Sequence, residues 1–180
     1  MFGSVIVVVK TLMTDKLSLQ HPLYGIVRAP SASIIMGGDK LVSRLHPALD
    51  AYVTSRSLGK LWRNVEVVLE QREGIVLQPD LTFIVDGRES IVTDRVWGPP
   101  DMVLDVTSPL TRSRPLDERI AWYSLYGVRE YWLVQPQQAN VAILELAHGG
   151  VRRRTVFDDI TPLKSALLPD FNRSLGDFLI

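Results

Sequence analysis

The chain has 180 residues, 46% of them hydrophobic, and a formal net charge of +0; this suits one domain with a sizeable core. The even charge balance excludes the global basic footprint of a constitutive nucleic-acid binder, so any DNA contact has to come from local arginine clusters. The absence of cysteine excludes disulfides and thiolate metal sites.

Residues 1–30 read as an N-terminal arm and residues from about 31 to 180 as the core of a single domain. In the arm, Val5–Val9 suits either a strand or one side of a short helix. It is too short to span a membrane. It also lacks a basic lead-in and a small-residue cleavage site, so a cytoplasmic protein with no membrane partner is expected. Tyr24–Arg28 suits a short strand ended by Pro30.

A helix is predicted within Ile34 to Tyr52, starting near Gly38 or Asp39, because Leu41, Val42, Leu45, Leu49, Tyr52 and Val53 recur at helical spacing. Pro47 falls inside it and should kink it. Asp39 is either its N-cap or a further carboxylate near a cleft. His46 reads as a surface or groove residue, and no histidine spacing suggests zinc. Leu61–Leu69 alternates as a strand, Gln71–Gly74 is a turn, and Ile75–Leu77 begins a return that Leu81–Val85 completes as a hairpin. A polar loop then runs from Asp86 to Pro100. Met102–Val106 is a short apolar strand of the kind found buried. A helix is expected from about Pro115 to Tyr126, stopped by Gly127. Glu130–Val134 is a further buried strand. Ala139–Leu146 and Arg152–Phe157 form a hairpin around His148-Gly149-Gly150, and Leu167–Phe171 with Leu175–Leu179 form a C-terminal edge. This order predicts a mixed α/β sheet with a helix on each face.

Chemistry is suggested by acids where acids are costly. Asp80 opens one apolar run, and Asp105 lies inside another between Leu104 and Val106. A buried carboxylate needs a partner or gives up its charge. Asp80 either caps the turn after Pro79 or joins a site; Asp105 either pairs with an arginine or does chemistry. Shared ligation of a divalent cation would stabilise both, since hard cations take carboxylate oxygens. Strand parity puts Asp80, Thr82 and Ile84 on one face, and Val103, Asp105 and Thr107 on one face. Arg112, Arg114 and Arg119 flank this region and are either phosphate contacts or partners of Asp101, Asp117 and Glu118. Arg152-Arg153-Arg154 is either a solvated run or a DNA contact. Trp122, Tyr123, Tyr131 and Trp132 read as core residues, with base-stacking platforms as the alternative.

Gln78-Pro79-Asp80-Leu81, then Pro100 to Thr111 (Pro-Asp-Met-Val-Leu-Asp-Val-Thr-Ser-Pro-Leu-Thr), then Gly127-Val128-Arg129-Glu130-Tyr131-Trp132-Leu133-Val134 resemble the Uma-two family from about Gly59 to the C-terminus. Leu168-Pro169-Asp170-Phe171 fits as well. The resemblance implies a restriction-endonuclease-like PD-(D/E)XK fold: a mixed β-sheet core flanked by helices, here with an extra β-hairpin. It implies a metal-dependent DNA endonuclease in which Asp80 and Asp105 hold Mg²⁺ or Mn²⁺ and Gln78 positions a water. It further implies DNA as partner and a homodimer, as in many nucleases of this fold. The chain departs from the family pattern at several positions. Thr107 stands where the motif has lysine, Arg119 aligns with a lysine that relatives carry on the following helix, and Pro115 replaces an acid. A glutamate usual near Tyr24 is missing. These departures imply, as the alternative, a weakened or inactive nuclease-fold protein that binds nucleic acid or a protein partner.

Overall fold

A computed structural model describes residues 38–107 and 115–179. The expected N-terminal arm, with its Val5–Val9 run and the short strand expected at Tyr24–Arg28, and the arginines Arg112 and Arg114, lie outside the described residues.

The first described element, α1 (Gly38–Ser55), buries Leu41, Val42, Leu45, Leu49 and Val53 and runs on through Pro47. Those positions form the apolar stripe of an amphipathic helix. Asp39 neither caps the helix nor reaches a cleft: it stands exposed in the first turn and pairs with Arg63.

Nine strands follow among the described residues: β1 (Gly59–Arg63), β2 (Val67–Glu70), β3 (Ile75–Leu77), β4 (Leu81–Val85), β5 (Val96–Trp97), β6 (Met102–Val106), β7 (Glu130–Gln135), β8 (Asn140–Ala147) and β9 (Gly150–Asp158). Helix α2 (Leu116–Tyr126) connects β6 to β7, and a short α3 (Gly176–Leu179) ends the described chain. The main sheet has six strands in the order β1-β4-β6-β7-β8-β9, and a smaller sheet has the order β3-β2-β5. In the main sheet β6 and β7 run parallel while the other neighbours are antiparallel. A parallel pair needs a crossover, and α2 provides it. Gly127, at φ 100, ends α2 and turns the chain back toward β7.

Alternation along the strands divides the core. Leu81, Phe83, Met102, Leu104, Val106 and Trp132 pack with α1 on one face. Ile84, Val103, Tyr131 and Leu133 pack with Trp122 and Tyr123 of α2 on the other. By the same alternation Asp80, Thr82 and Asp105 belong to the α2 face.

Two expectations are corrected. Leu61–Leu69 is two strands, broken at Asn64, whose φ of 53 is left-handed, a conformation asparagine tolerates better than most residues. β1 pairs with β4 and β2 with β3, in a register that shifts only between Val68 and Glu70 near the turn, so the predicted hairpin exists but is bent across two sheets. The C-terminal stretch forms turns and α3 rather than strands. Its Leu167, Leu168, Phe171, Leu175 and Phe178 are buried in the α1-side core. Glu130 holds it in place: the Ser165 hydroxyl and the Ala166 N–H donate to its carboxylate at 2.7 and 2.8 Å, and Trp132 Nε1 donates at 2.9 Å.

Candidate active site

The β4–β6 ladder pairs Phe83 with Met102, Thr82 with Val103 and Leu81 with Leu104, and stops there. The next positions are Asp80 and Asp105. Past the end of the ladder their side chains take over the bonding. Asp80 N–H donates to Asp105 Oδ1 at 3.4 Å, and Val106 N–H donates to Asp80 Oδ2 at 2.7 Å. A buried backbone donor without an acceptor is costly, and here carboxylates meet that need. β6 meanwhile stays bound to β7, where Thr107 N–H donates to Val134 O at 2.7 Å. The site therefore sits where β4 and β6 part. Asp80 is 0% exposed and Asp105 4%.

Helix α2 brings a cation to this point. The Arg119 guanidinium forms an ion pair with Asp105 Oδ2 and lies 5.7 Å from the centre of the Tyr131 ring. Tyr123, one turn further along α2, packs edge-to-face on Tyr131 at 5.0 Å. Burial by itself would push the Arg119 pKa down, but the Asp105 carboxylate and the neighbouring tyrosines outweigh it, and the net displacement is upward. Burial and then the Asp105 charge raise Tyr123 and Tyr131 above the ordinary tyrosine value. Both hydroxyls thus keep their protons. Tyr123 faces Arg119 and Tyr131 faces Asp105, each without a well-formed hydrogen bond.

Among the sequence-predicted residues, Asp80, Asp105 and Arg119 come together. Gln78 lies close by in the chain, but its amide Nε2 donates to Asn64 O at 2.8 Å, anchoring it to the break between β1 and β2. Thr107 keeps its hydroxyl on Val134 O at 3.1 Å. Arg112 and Arg114 are outside the described residues. Asp101 pairs with Arg88 and Arg129 and accepts from Val85 N–H, a structural duty away from the carboxylate pair. Arg152, Arg153 and Arg154 are exposed on β9, the sheet edge, where Arg153 reaches Glu145 at 3.7 Å. Tyr123 and Tyr131, expected in the core or as stacking platforms, are buried and also wall the site. The available signals were the i, i+4 spacing from Arg119 to Tyr123 and a tyrosine, not phenylalanine, in a buried strand.

The residues present fit a hard divalent cation in donor chemistry. Asp80 and Asp105 supply carboxylate oxygens from neighbouring strands on one face, and the buried Thr82 hydroxyl on that face has no hydrogen-bond partner among the described residues. Among the described residues no group of three or more His, Cys, Asp or Glu side chains is arranged around a common point. Mg²⁺ commonly retains several waters and needs few protein ligands. Among the described residues no helix is long and apolar enough to cross a membrane.

Comparison with known proteins adds a lineage. The sequence model of the Uma2 (Uma-two) family, described as "Putative restriction endonuclease", matches residues 37–176. A crystal structure of a "putative nuclease belonging to DUF820" from Anabaena variabilis superposes with a TM-score of 0.64 at 14% sequence identity, covering 78% of this chain and 79% of that one. At that identity the likeness speaks for the restriction-endonuclease-like fold. No functionally curated protein matches the chain.

Proposed function

The chain belongs to the Uma2 family, and on that premise we propose that it is a metal-dependent DNA endonuclease acting at the Asp80–Asp105 pair. The observation that carries this reading is the pairing of those buried carboxylates where β4 and β6 part, with a guanidinium brought to them by α2. Asp80 and Asp105 would hold Mg²⁺ or Mn²⁺. When bound, such an ion stabilises charge on a phosphate oxygen and lowers the pKa of a coordinated water.

The remaining roles fall to the chain itself. Arg119 stays protonated and cannot act as a base, but it can donate parallel hydrogen bonds to a phosphate and neutralise developing charge. Gln78, its amide nitrogen held on Asn64, orients the attacking water through its remaining oxygen. Arg112 and Arg114, on the connection ahead of α2, contact backbone phosphates, with Arg152–Arg154 as a more distant contact. The protein works in the cytoplasm, and a homodimer would place one site on each strand of duplex DNA.

A second reading is favoured by one feature. Arg119 sits on Asp105 and Thr107 is tied to Val134, so no lysine serves the site from either position. On this reading the protein binds nucleic acid or a protein partner without cutting. The test is incubation with supercoiled plasmid and Mn²⁺ or Mg²⁺. Open circles accumulating slowly, and not in EDTA, support the endonuclease. A gel shift with intact plasmid supports the binding protein.

A further inference from the structure

Resting on the metal-site reading above, we infer that Arg119 is a resident counter-ion of the Asp80–Asp105 pair, and that a divalent cation enters by exchange with its guanidinium. The ion pair is built into the fold. The Asp105 side chain is 5% exposed and that of Arg119 21%, so water screens their attraction weakly. The guanidinium also lies over the Tyr131 ring, which adds a cation–π contact, and it takes up Asp105 Oδ2. Asp105 Oδ1 and Asp80 Oδ2 already accept backbone N–H groups.

A divalent ion held by both carboxylates would stand beside a fixed positive charge in a poorly screened place, and like charges there repel strongly. The low-energy outcome is that one cation leaves as the other arrives. The displaced guanidinium remains on α2 at the mouth of the site, where its forked donors match a phosphate. Arg119 thus has two alternating anionic partners: Asp105 without metal, and a substrate phosphate with it. The apparent metal affinity is lowered by the fraction of molecules in which the guanidinium holds the site.

The test is calorimetric titration of the purified protein with Mn²⁺ alone, alongside melting curves with and without Mn²⁺. Arg119→Gln and the volume-conserving Arg119→Met should bind Mn²⁺ about tenfold more tightly than wild type or better, and Mn²⁺ should raise their melting temperatures more than it raises that of wild type. Arg119→Lys, which keeps the charge, should stay near the wild-type affinity. If the neutral variants fold only when Mn²⁺ is present, the ion has replaced the guanidinium and the exchange stands. If they fail to fold with or without Mn²⁺, or bind it no more tightly than wild type, the exchange is overturned while wild-type binding keeps the carboxylate metal site intact. Absence of Mn²⁺ binding at millimolar concentration in wild type and all variants overturns both the exchange and the metal site.

Discussion

Asp80 and Asp105 clamp each other's strands: Asp105 Oδ1 accepts the Asp80 N–H, and Asp80 Oδ2 accepts the Val106 N–H. The acids therefore close the end of the β4–β6 ladder as well as lining the candidate site. Stability and chemistry are coupled at these positions, and variants have to be read with a folding control beside each activity assay.

Alkaline pH probes the wall of the site. Burial and the Asp105 charge raise Tyr123 and Tyr131 above the usual value of 10.0. A group with a raised folded-state pKa contributes stability that is fully present below its unfolded pKa and is lost as pH rises through the folded value. The melting temperature of wild type should fall as pH rises above about 10. Tyr131→Phe should fall less steeply over that window. Parallel curves for the two proteins would contradict the assigned environment of Tyr131.

Glu130 tests the packing of the C-terminal segment. Its buried carboxylate accepts from Trp132, Ser165 and Ala166. Glu130→Ala strands these donors, and each buried unsatisfied group costs about 1–3 kcal/mol. Denaturant unfolding should show a loss of about 3 kcal/mol or more, and amides over 163–175 should exchange faster with solvent. A loss confined to a few tenths would mean the segment is held by its leucines and phenylalanines alone.

Gly59 tests the start of β1. It has φ 145, and an added Cβ would meet Ile84 O at 2.1 Å. Both the conformation and the contact exclude a side chain, and the neighbour is backbone that cannot swing aside. Gly59→Ala should destabilise by about 2–3 kcal/mol, read from the urea midpoint; a neutral result would show that β1 can shift from β4.

Much of this arrangement was legible in the sequence, and the failures have physical causes. Alternation groups Asp80 with Thr82 and Ile84, and Asp105 with Val103 and Thr107; that both groups lie on one face depends on the β4–β6 register, which alternation within a strand does not give. The helices over 38–55 and 116–126 were legible from apolar spacing and from Pro115 and Gly127 at the second one's ends. The break at Asn64 was hidden because Leu61–Leu69 is apolar on both sides of it, and a left-handed asparagine looks like any polar strand residue. β5 is two residues long and leaves no periodic trace. The C-terminal leucines and phenylalanines pack without strands, anchored by Glu130, far away in sequence, which accepts the Ser165 hydroxyl and the Ala166 N–H, while Ser165 Oγ accepts the N–H groups of Leu167 and Leu168.

Arg119→Lys tests what the site lacks. Lysine can shift its pKa and move a proton where arginine cannot. If proton transfer limits turnover, the variant should nick plasmid faster than wild type by about tenfold or more, with Mn²⁺ affinity little changed. A lower rate would show that the guanidinium itself, through phosphate contact, is the group the reaction needs, and an unchanged rate that proton transfer from this position does not limit turnover.

The most direct measurement is Mn²⁺-dependent relaxation of supercoiled plasmid by wild type, Asp80→Asn and Asp105→Asn, each verified as folded by circular dichroism. Asparagine keeps the shape of each side chain and removes a negative ligand, so the carboxylate pair loses its hold on the cation. Wild type should convert the plasmid slowly to open circles, and both variants should leave it supercoiled. Folded Asp80→Asn and Asp105→Asn proteins that nick as fast as wild type, or a wild type that never nicks, would contradict the assignment of nuclease chemistry to this pair.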